Sequence, residues 1–161
     1  MENKMFCYQC EQTAGCTGCT GNAGVCGKSA NTARLQDELT GALIGLARAV
    51  EGNEHLVNEE MNQLVLEGLF TTVTNVNFND ETLKILIYKI ENAKKKLVPN
   101  CFTCSGSCGR NDNFDMNTLW TTDEDVRSLK SLILFGIRGM AAYAYHASVL
   151  GYTDETISKF F

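Results

Sequence analysis

Cysteine placement constrains this chain more than any other feature. Eight of its 161 residues are cysteines, with five in residues 7–26 and three in residues 101–108. A chain of this length can bury enough surface to fold without disulfides. No apolar export signal precedes the first cysteine, so we expect a cytoplasmic protein whose thiols stay reduced. Clustered cysteines in that compartment indicate metal binding or redox chemistry.

The spacing of the cysteines is typical of metal sites. Three Cys-x-x-Cys pairs occur, at Cys7/Cys10, Cys16/Cys19 and Cys101/Cys104. Two intervening residues allow both thiolates to face one metal centre, as in zinc and iron–sulfur sites. Glycines recur at every third position from residue 15 to residue 27, and their backbone can wrap closely around a small ligand. We therefore expect a metal or cluster loop near the N-terminus.

The spacing alone leaves three interpretations open. An iron–sulfur cluster is the first, and a structural zinc ion held by two of the three pairs is the second. Redox-active thiols are the third, but no βαβ pattern surrounds any pair, as a thioredoxin-like motif would require. Buried thiols acting as small hydrophobes could explain one or two of the eight cysteines, but not a glycine-rich run without apolar neighbours.

Charge and hydropathy exclude several classes of partner. Fourteen Lys and Arg residues against nineteen Asp and Glu give a net charge of −5, so no basic field favours nucleic acid or an acidic membrane surface. The longest apolar stretches carry charges at helical spacing, and we expect no membrane span. The one basic run, at residues 94–96, is interpreted as the solvated end of a helix.

Hydrophobic periodicity predicts an all-α fold. Apolar residues recur every three or four positions over residues 32–50, 56–73, 80–97 and 124–151, and a last pattern begins near residue 154. Predicted helix ends include an N-cap at Asn79, a stop at Pro99, a capping box of Thr121 with Glu124, and a cap at Thr153. Gly136 and Gly139 are expected to permit close packing against another helix.

These patterns divide the chain into a cysteine-rich loop over residues 1–31 and a helical bundle over residues 32–161. The last helix starts from a cap and reaches the chain end on Phe160 and Phe161, so we expect a domain truncated at its C-terminus. Apolar helix faces left without partners are expected to drive self-association.

Several segments resemble the hybrid cluster proteins, also called prismane proteins or hydroxylamine reductases. They are residues 5–13 (MFCYQCEQT), 18–20 (GCT), 25–28 (VCGK), 113–117 (NFDMN) and 128–147. The resemblance covers nearly the whole chain, and the joining of a four-cysteine loop to this helical segment is highly specific to that family.

The resemblance implies a ligand set for an iron–sulfur cluster. Cys7, Cys10, Cys19 and Cys26 match the family's four N-terminal ligands, with two, eight and six intervening residues. The family has a 4Fe–4S form with a compact loop and a 2Fe–2S form with a longer one. The eight-residue gap resembles the 4Fe–4S form, although the six-residue gap departs slightly from it. Cys16 is extra to the pattern and is expected to be a free thiol.

The resemblance also implies an architecture and an activity. The family's first domain resembles paired three-helix bundles, and its cluster passes electrons to a hybrid iron–sulfur–oxygen cluster in two later α/β domains. There hydroxylamine is reduced to ammonia and water, and the family is also linked to nitric oxide and peroxide stress. This chain is thus expected to be an electron-entry domain without catalytic residues, inactive alone and dependent on an electron donor and on the missing α/β domains.

Two alternatives remain, namely a structural zinc module whose helices form an interaction surface and a free-standing ferredoxin-like carrier. The trio at residues 101–108 matches no family ligand, and we interpret it as a loop of small thiols, a second metal site or a disulfide. His55 and His146 are interpreted as surface or core residues of helices.

Overall fold

The computed structural model describes residues 5–10, 17–97 and 112–161. Helices dominate this part of the chain, and the all-α prediction is confirmed. The helices are α1 (Ala30–Val50), α2 (Glu59–Thr71), α3 (Asp80–Leu97), α4 (Met116–Trp120), α5 (Glu124–Val149) and α6 (Glu155–Phe160), with a 3₁₀ turn at Glu54–Leu56. The described residues form no β-strand beyond two isolated bridges.

Helix α1 is the central element of the fold. Ser29 caps it, because its side-chain oxygen accepts a hydrogen bond from the backbone N–H of Thr32 at 3.0 Å. The apolar face of α1 packs mainly on α3. Leu39 of α1 and Leu83 and Ile90 of α3 are fully buried in the core. The cysteine-rich loop leads directly into the N-terminal end of α1.

Helix α5 packs mainly against α2, and only along part of its length. Ala141 is fully buried there, and Ile137 and Ala144 contact the core. Earlier in the same helix, Leu132 and Ile133 are more than 60% exposed. The first half of α5 therefore presents an apolar surface that no described residue covers.

Two glycines bring the segment before α4 against α1. The backbone N–H of Phe114 donates to the carbonyl oxygen of Gly41 at 3.1 Å. A methyl group at Gly41 would clash with the Phe114 carbonyl oxygen, and one at Gly45 would come within 2.9 Å of the Asn113 side chain. The missing side chains of Gly41 and Gly45 therefore permit this close approach.

The predicted caps of the last two helices were wrong by one or two residues. Helix α5 is capped by Asp123, which accepts from the Asp125 N–H at 3.0 Å, while Thr121 ends α4. Helix α6 is capped by Asp154 and not by Thr153. Carboxylates and hydroxyls are both good N-caps, and in each case the aspartate lies directly before the first helical residue.

The described residues do not supply the helix packing that was predicted for Gly136 and Gly139. A methyl group at either position would meet no atom of the described residues within 4 Å. Both glycines lie on exposed turns of α5. They cost helix propensity without permitting a contact to a described element.

The expectation that residues 94–96 form a solvated helix end was wrong for Lys94. Its side chain is buried, and its ammonium group donates to Glu91 at 3.0 Å and to Asn113 at 2.6 Å. Lys94 thereby joins α3 to the segment that precedes α4. Pro99, the predicted stop, lies outside the described residues.

Candidate metal centre

Two of the predicted ligands are paired by the backbone. The N–H of Cys7 donates to the carbonyl oxygen of Cys19 at 3.0 Å, and the N–H of Cys19 donates to that of Cys7 at 2.8 Å. This antiparallel bridge holds Cys7 and Cys19 side by side, and both are buried. Residues twelve positions apart are thus brought to one place.

A tight turn carries the fourth predicted ligand. The N–H of Gly24 donates to the carbonyl oxygen of Lys28, and the N–H of Gly27 donates to that of Gly24, both at 2.8 Å. Gly27 has a φ of +85°, which side-chain-bearing residues rarely adopt. A methyl group at Gly24 would lie 3.3 Å from the Cys26 sulfur. Glycine at these positions lets the chain turn closely around that thiol.

All four predicted ligands line one small cavity beside the start of α1. Cys7 and Cys19 lie on its buried side, Cys10 is half-buried and Cys26 is exposed. None of the four is in a disulfide, and they are the cysteines that the described ranges contain. The lining comprises Met5, Cys7, Gln9, Cys10, Cys19, Gly24, Val25, Cys26, Lys28, Thr74 and Asn75.

The donor set suits a sulfur-ligated cluster. Four thiols around one cavity are the ligands that iron–sulfur clusters take. Within the described residues, no group of three or more Cys, His, Asp or Glu side chains is close enough to hold a single metal ion. A zinc ion and an iron–sulfur cluster can both take four thiolates, so the donor set by itself fits either group.

The surroundings of Cys7 act on its protonation in opposite directions. Burial raises the pKa of the Cys7 thiol, while the Gln9 backbone N–H, which hydrogen-bonds to Cys7, and the charge of Lys28 lower it. The net effect is a raised pKa. Metal binding requires the thiolate, so Gln9 and Lys28 favour the form of Cys7 that binds a metal.

A buried polar network lies directly behind the cavity. The Lys28 ammonium group donates to Oε1 of Gln9 at 2.7 Å, and Nε2 of Gln9 donates to Oδ1 of Asp37 at 2.8 Å. The Gln9 carbonyl oxygen accepts from the Thr74 hydroxyl at 3.0 Å. Burial raises the pKa of Asp37, against the opposing effects of Gln9, Arg138 and Lys28.

Arg138 extends this polar region between α1 and α2. Its guanidinium group is buried and donates to the hydroxyls of Thr40 at 2.7 Å and Thr72 at 3.0 Å. Burial lowers the pKa of Arg138 to about 10, although the charge of Asp37 opposes this shift. Arg138 therefore ties α5 to both neighbouring helices through a cation that has no carboxylate within ion-pair distance among the described residues.

Sequence reasoning found the four cysteines and missed the residues behind them. The sequence analysis assigned no site role to Lys28, Asp37 or Arg138, and only tertiary packing buries Lys28 and Arg138. Cys16 and the trio Cys101, Cys104 and Cys108 lie outside the described residues. The two histidines stay apart from the cavity lining: His55 is exposed in the 3₁₀ turn, and His146 contacts Phe70 with ring centroids 5.0 Å apart.

Fold and site together define a helical domain with a cysteine-lined cavity at the start of its first helix. No helix within the described ranges is long and apolar enough to cross a membrane. The model of the Prismane/CO dehydrogenase family matches residues 5–161, and the chain belongs to that family. The resemblance found in the sequence is thereby confirmed.

The chain is also similar to curated proteins named hydroxylamine reductase. It is 40% identical over 175 residues to that of Desulfovibrio desulfuricans, covering 99% of this chain and 32% of the relative. It is 41% identical over 180 residues to that of Caldanaerobacter subterraneus, covering 98% of this chain and 32% of the relative. It is 39% identical over 177 residues to that of Methanococcus vannielii, covering 97% of this chain and 32% of the relative. The chain thus spans about a third of the length of these relatives.

Proposed function

We propose that this chain is the electron-entry part of a hydroxylamine reductase and binds a 4Fe–4S cluster through Cys7, Cys10, Cys19 and Cys26. One observation carries the proposal: all four thiols line a single cavity. The eight-residue gap between Cys10 and Cys19 supports the cubane form over the 2Fe–2S form. The proposed division into a loop over residues 1–31 and a bundle over residues 32–161 places every ligand in the loop.

Each part of the loop has a role in this proposal. The cluster, when bound, supplies a one-electron redox centre. The Cys7–Cys19 bridge fixes the two buried ligands, and the turn ending at Lys28 presents Cys26. Backbone N–H groups near the sulfurs, such as that of Gln9, stabilise thiolate charge.

We propose that the longer protein reduces hydroxylamine by two electrons: NH₂OH + 2e⁻ + 2H⁺ → NH₃ + H₂O. The relatives' name supports this substrate, and the reaction belongs to a second cluster held by domains beyond the matched third. The proposed compartment is the cytoplasm, where an electron donor would reduce the loop cluster. We assign no catalytic residue to this chain and expect no hydroxylamine consumption by the 161-residue protein alone.

The proposal is tested by a reversible redox titration of anaerobically purified protein. We expect broad visible absorbance that dithionite bleaches and ferricyanide restores, with no hydroxylamine consumed by the reduced protein. A colourless protein that dithionite leaves unchanged would favour the structural zinc module instead. Hydroxylamine turnover by the pure chain would contradict its assignment as a non-catalytic part.

A further inference from the structure

Lys28 is a buried cation beside the proposed cluster ligands. It is 2% exposed, ranks among the largest fully buried side chains, and lines the same cavity as the four cysteines. Burying an ammonium group is costly unless an opposite charge or several hydrogen bonds compensate it. The position of Lys28 therefore calls for a compensating group.

The described residues compensate Lys28 only in part. Its ammonium group donates to one neutral acceptor, Oε1 of Gln9 at 2.7 Å, and lies 5.8 Å from the centre of the Phe78 ring. No carboxylate within the described ranges forms an ion pair with it. The nearby acid, Asp37, reaches Lys28 only through the Gln9 amide. Lys28 lines the cysteine cavity, so a negatively charged group in that cavity is well placed to supply further compensation.

A cluster with four thiolates supplies the missing negative charge. Such a group is net negative, and reduction by one electron adds a further negative charge. A fixed cation in a low-dielectric site stabilises the reduced form more than the oxidised form. Its presence therefore raises the reduction potential.

Gln9 links this cation to a ligand. Its backbone N–H hydrogen-bonds to Cys7, its Oε1 accepts from Lys28, and its Nε2 donates to Asp37. The side chain of Gln9 thus holds Lys28 beside the ligands and separates it from Asp37. Without this amide, Lys28 could pair directly with the carboxylate and lose its effect on the cavity.

We propose that Lys28 is the counter-cation of the bound cluster, a positioning residue that keeps its reduction potential high, while the carboxylate of Asp37 offsets part of this effect. This inference rests on the proposed function, because it requires a cluster in the cavity.

The test is the midpoint potential of the cluster in anaerobically purified variants at pH 8. Lys28→Met is expected to shift the potential to a more negative value, and Lys28→Arg, which keeps the charge, to stay near wild type. Asp37→Asn, which removes a negative charge but keeps an acceptor for Gln9, is expected to shift it to a more positive value. These opposite signs distinguish charge from loosened packing.

Lys159→Met is the matched control. It also removes one positive charge, but Lys159 lines a different cavity, together with Val50 at the far end of α1. At 1.5 Å per residue, the 21 residues of α1 place it about 30 Å from the cysteine cavity. We expect no shift in this variant.

An unchanged potential in Lys28→Met, or shifts of the same sign in Lys28→Met and Asp37→Asn, would overturn this inference alone. If Lys28→Met fails to retain a cluster, Lys28→Gln takes its place, because it also removes the charge but keeps a polar side chain, and the same negative shift is expected. A wild-type protein without iron and sulfide would overturn the proposed function and this inference with it.

Discussion

The four proposed ligands differ in burial, but each supplies one thiolate to the same centre. Replacing Cys7, Cys10, Cys19 or Cys26 by alanine should abolish or degrade the cluster, because alanine supplies no sulfur. Cys16→Ala is the control and should leave the visible spectrum nearly unchanged. The measurement is the absorbance of each anaerobically purified variant. Loss of the cluster in Cys16→Ala with retention in Cys19→Ala would overturn the assignment.

For individual residues, the spacing in the sequence predicted the cysteine ligands but not the charged side chains that surround them. Gln9 and Asp37 are 28 positions apart and meet only after α1 has packed beside the loop. Lys28 follows a glycine and precedes a helix cap, a setting that gives no sign of burial. The local sequence pattern therefore predicts the proposed cluster ligands, whereas the charged groups placed around those ligands depend on tertiary structure.

Gly41 allows the segment before α4 to pack closely against helix α1. Gly41→Ala should lower the free energy of unfolding by about 1–3 kcal/mol, because the new methyl group clashes with backbone that cannot rotate away. Urea denaturation followed by circular dichroism measures this change.

Gly136→Ala is the matched control for that substitution. Its new methyl group would meet no described atom within 4 Å, so alanine should stabilise α5 by about 0.5–1 kcal/mol through helix propensity. Equal effects of the two substitutions would contradict the packing described for Gly41.

The start of α3 is joined to the start of α1 by a carboxylate. Asp80 accepts hydrogen bonds from the Thr32 hydroxyl at 2.7 Å and the Asn31 amide at 2.6 Å, and these bonds hold the pKa of Asp80 below its ordinary value of 3.8. A lowered folded-state pKa means that the stabilisation is present above 3.8 and is lost as the pH falls through the folded-state value. Asp80→Asn should therefore be less stable than wild type at neutral pH.

The difference between wild type and Asp80→Asn should shrink in acid. Urea denaturation of both proteins at neutral pH and at the lowest pH where they remain folded measures it. Glu81→Gln, whose charge lies in the same helical turn, is the control. A difference that stays constant with pH would show that the Asp80 charge does not stabilise the fold.

Hydrophobic periodicity predicted the long helices well but predicted their ends poorly. The predicted segment over residues 80–97 coincides with α3. The one over residues 56–73 begins on the last residue of a 3₁₀ turn, and α2 begins only at Glu59. Helix α4 has only five residues, too few for a periodic signal, and its place depends on contacts with α1. The ends and the short helix are fixed by side-chain caps and packing instead.

For the molecule as a whole, the apolar face of α5 remains to be covered. Leu129, Leu132 and Ile133 are each more than 60% exposed on one stretch of that helix, and contiguous apolar surface of this kind marks an interaction site. We propose that this chain self-associates through this face.

Sedimentation velocity tests this proposal. Wild-type protein should sediment as a dimer or larger species, and Leu132→Glu should shift it toward monomer. Ile85→Glu, at an exposed apolar position on α3, should leave the association unchanged. A wild-type protein that is monomeric at all concentrations would contradict self-association.

The most direct test of the central claim is the iron, acid-labile sulfide and zinc content of the anaerobically purified chain. A 4Fe–4S cluster predicts iron and sulfide in equal amounts, about four of each per chain, and little zinc. Stoichiometric zinc without iron or sulfide would contradict the cluster and identify the cysteine-lined cavity as a structural zinc site.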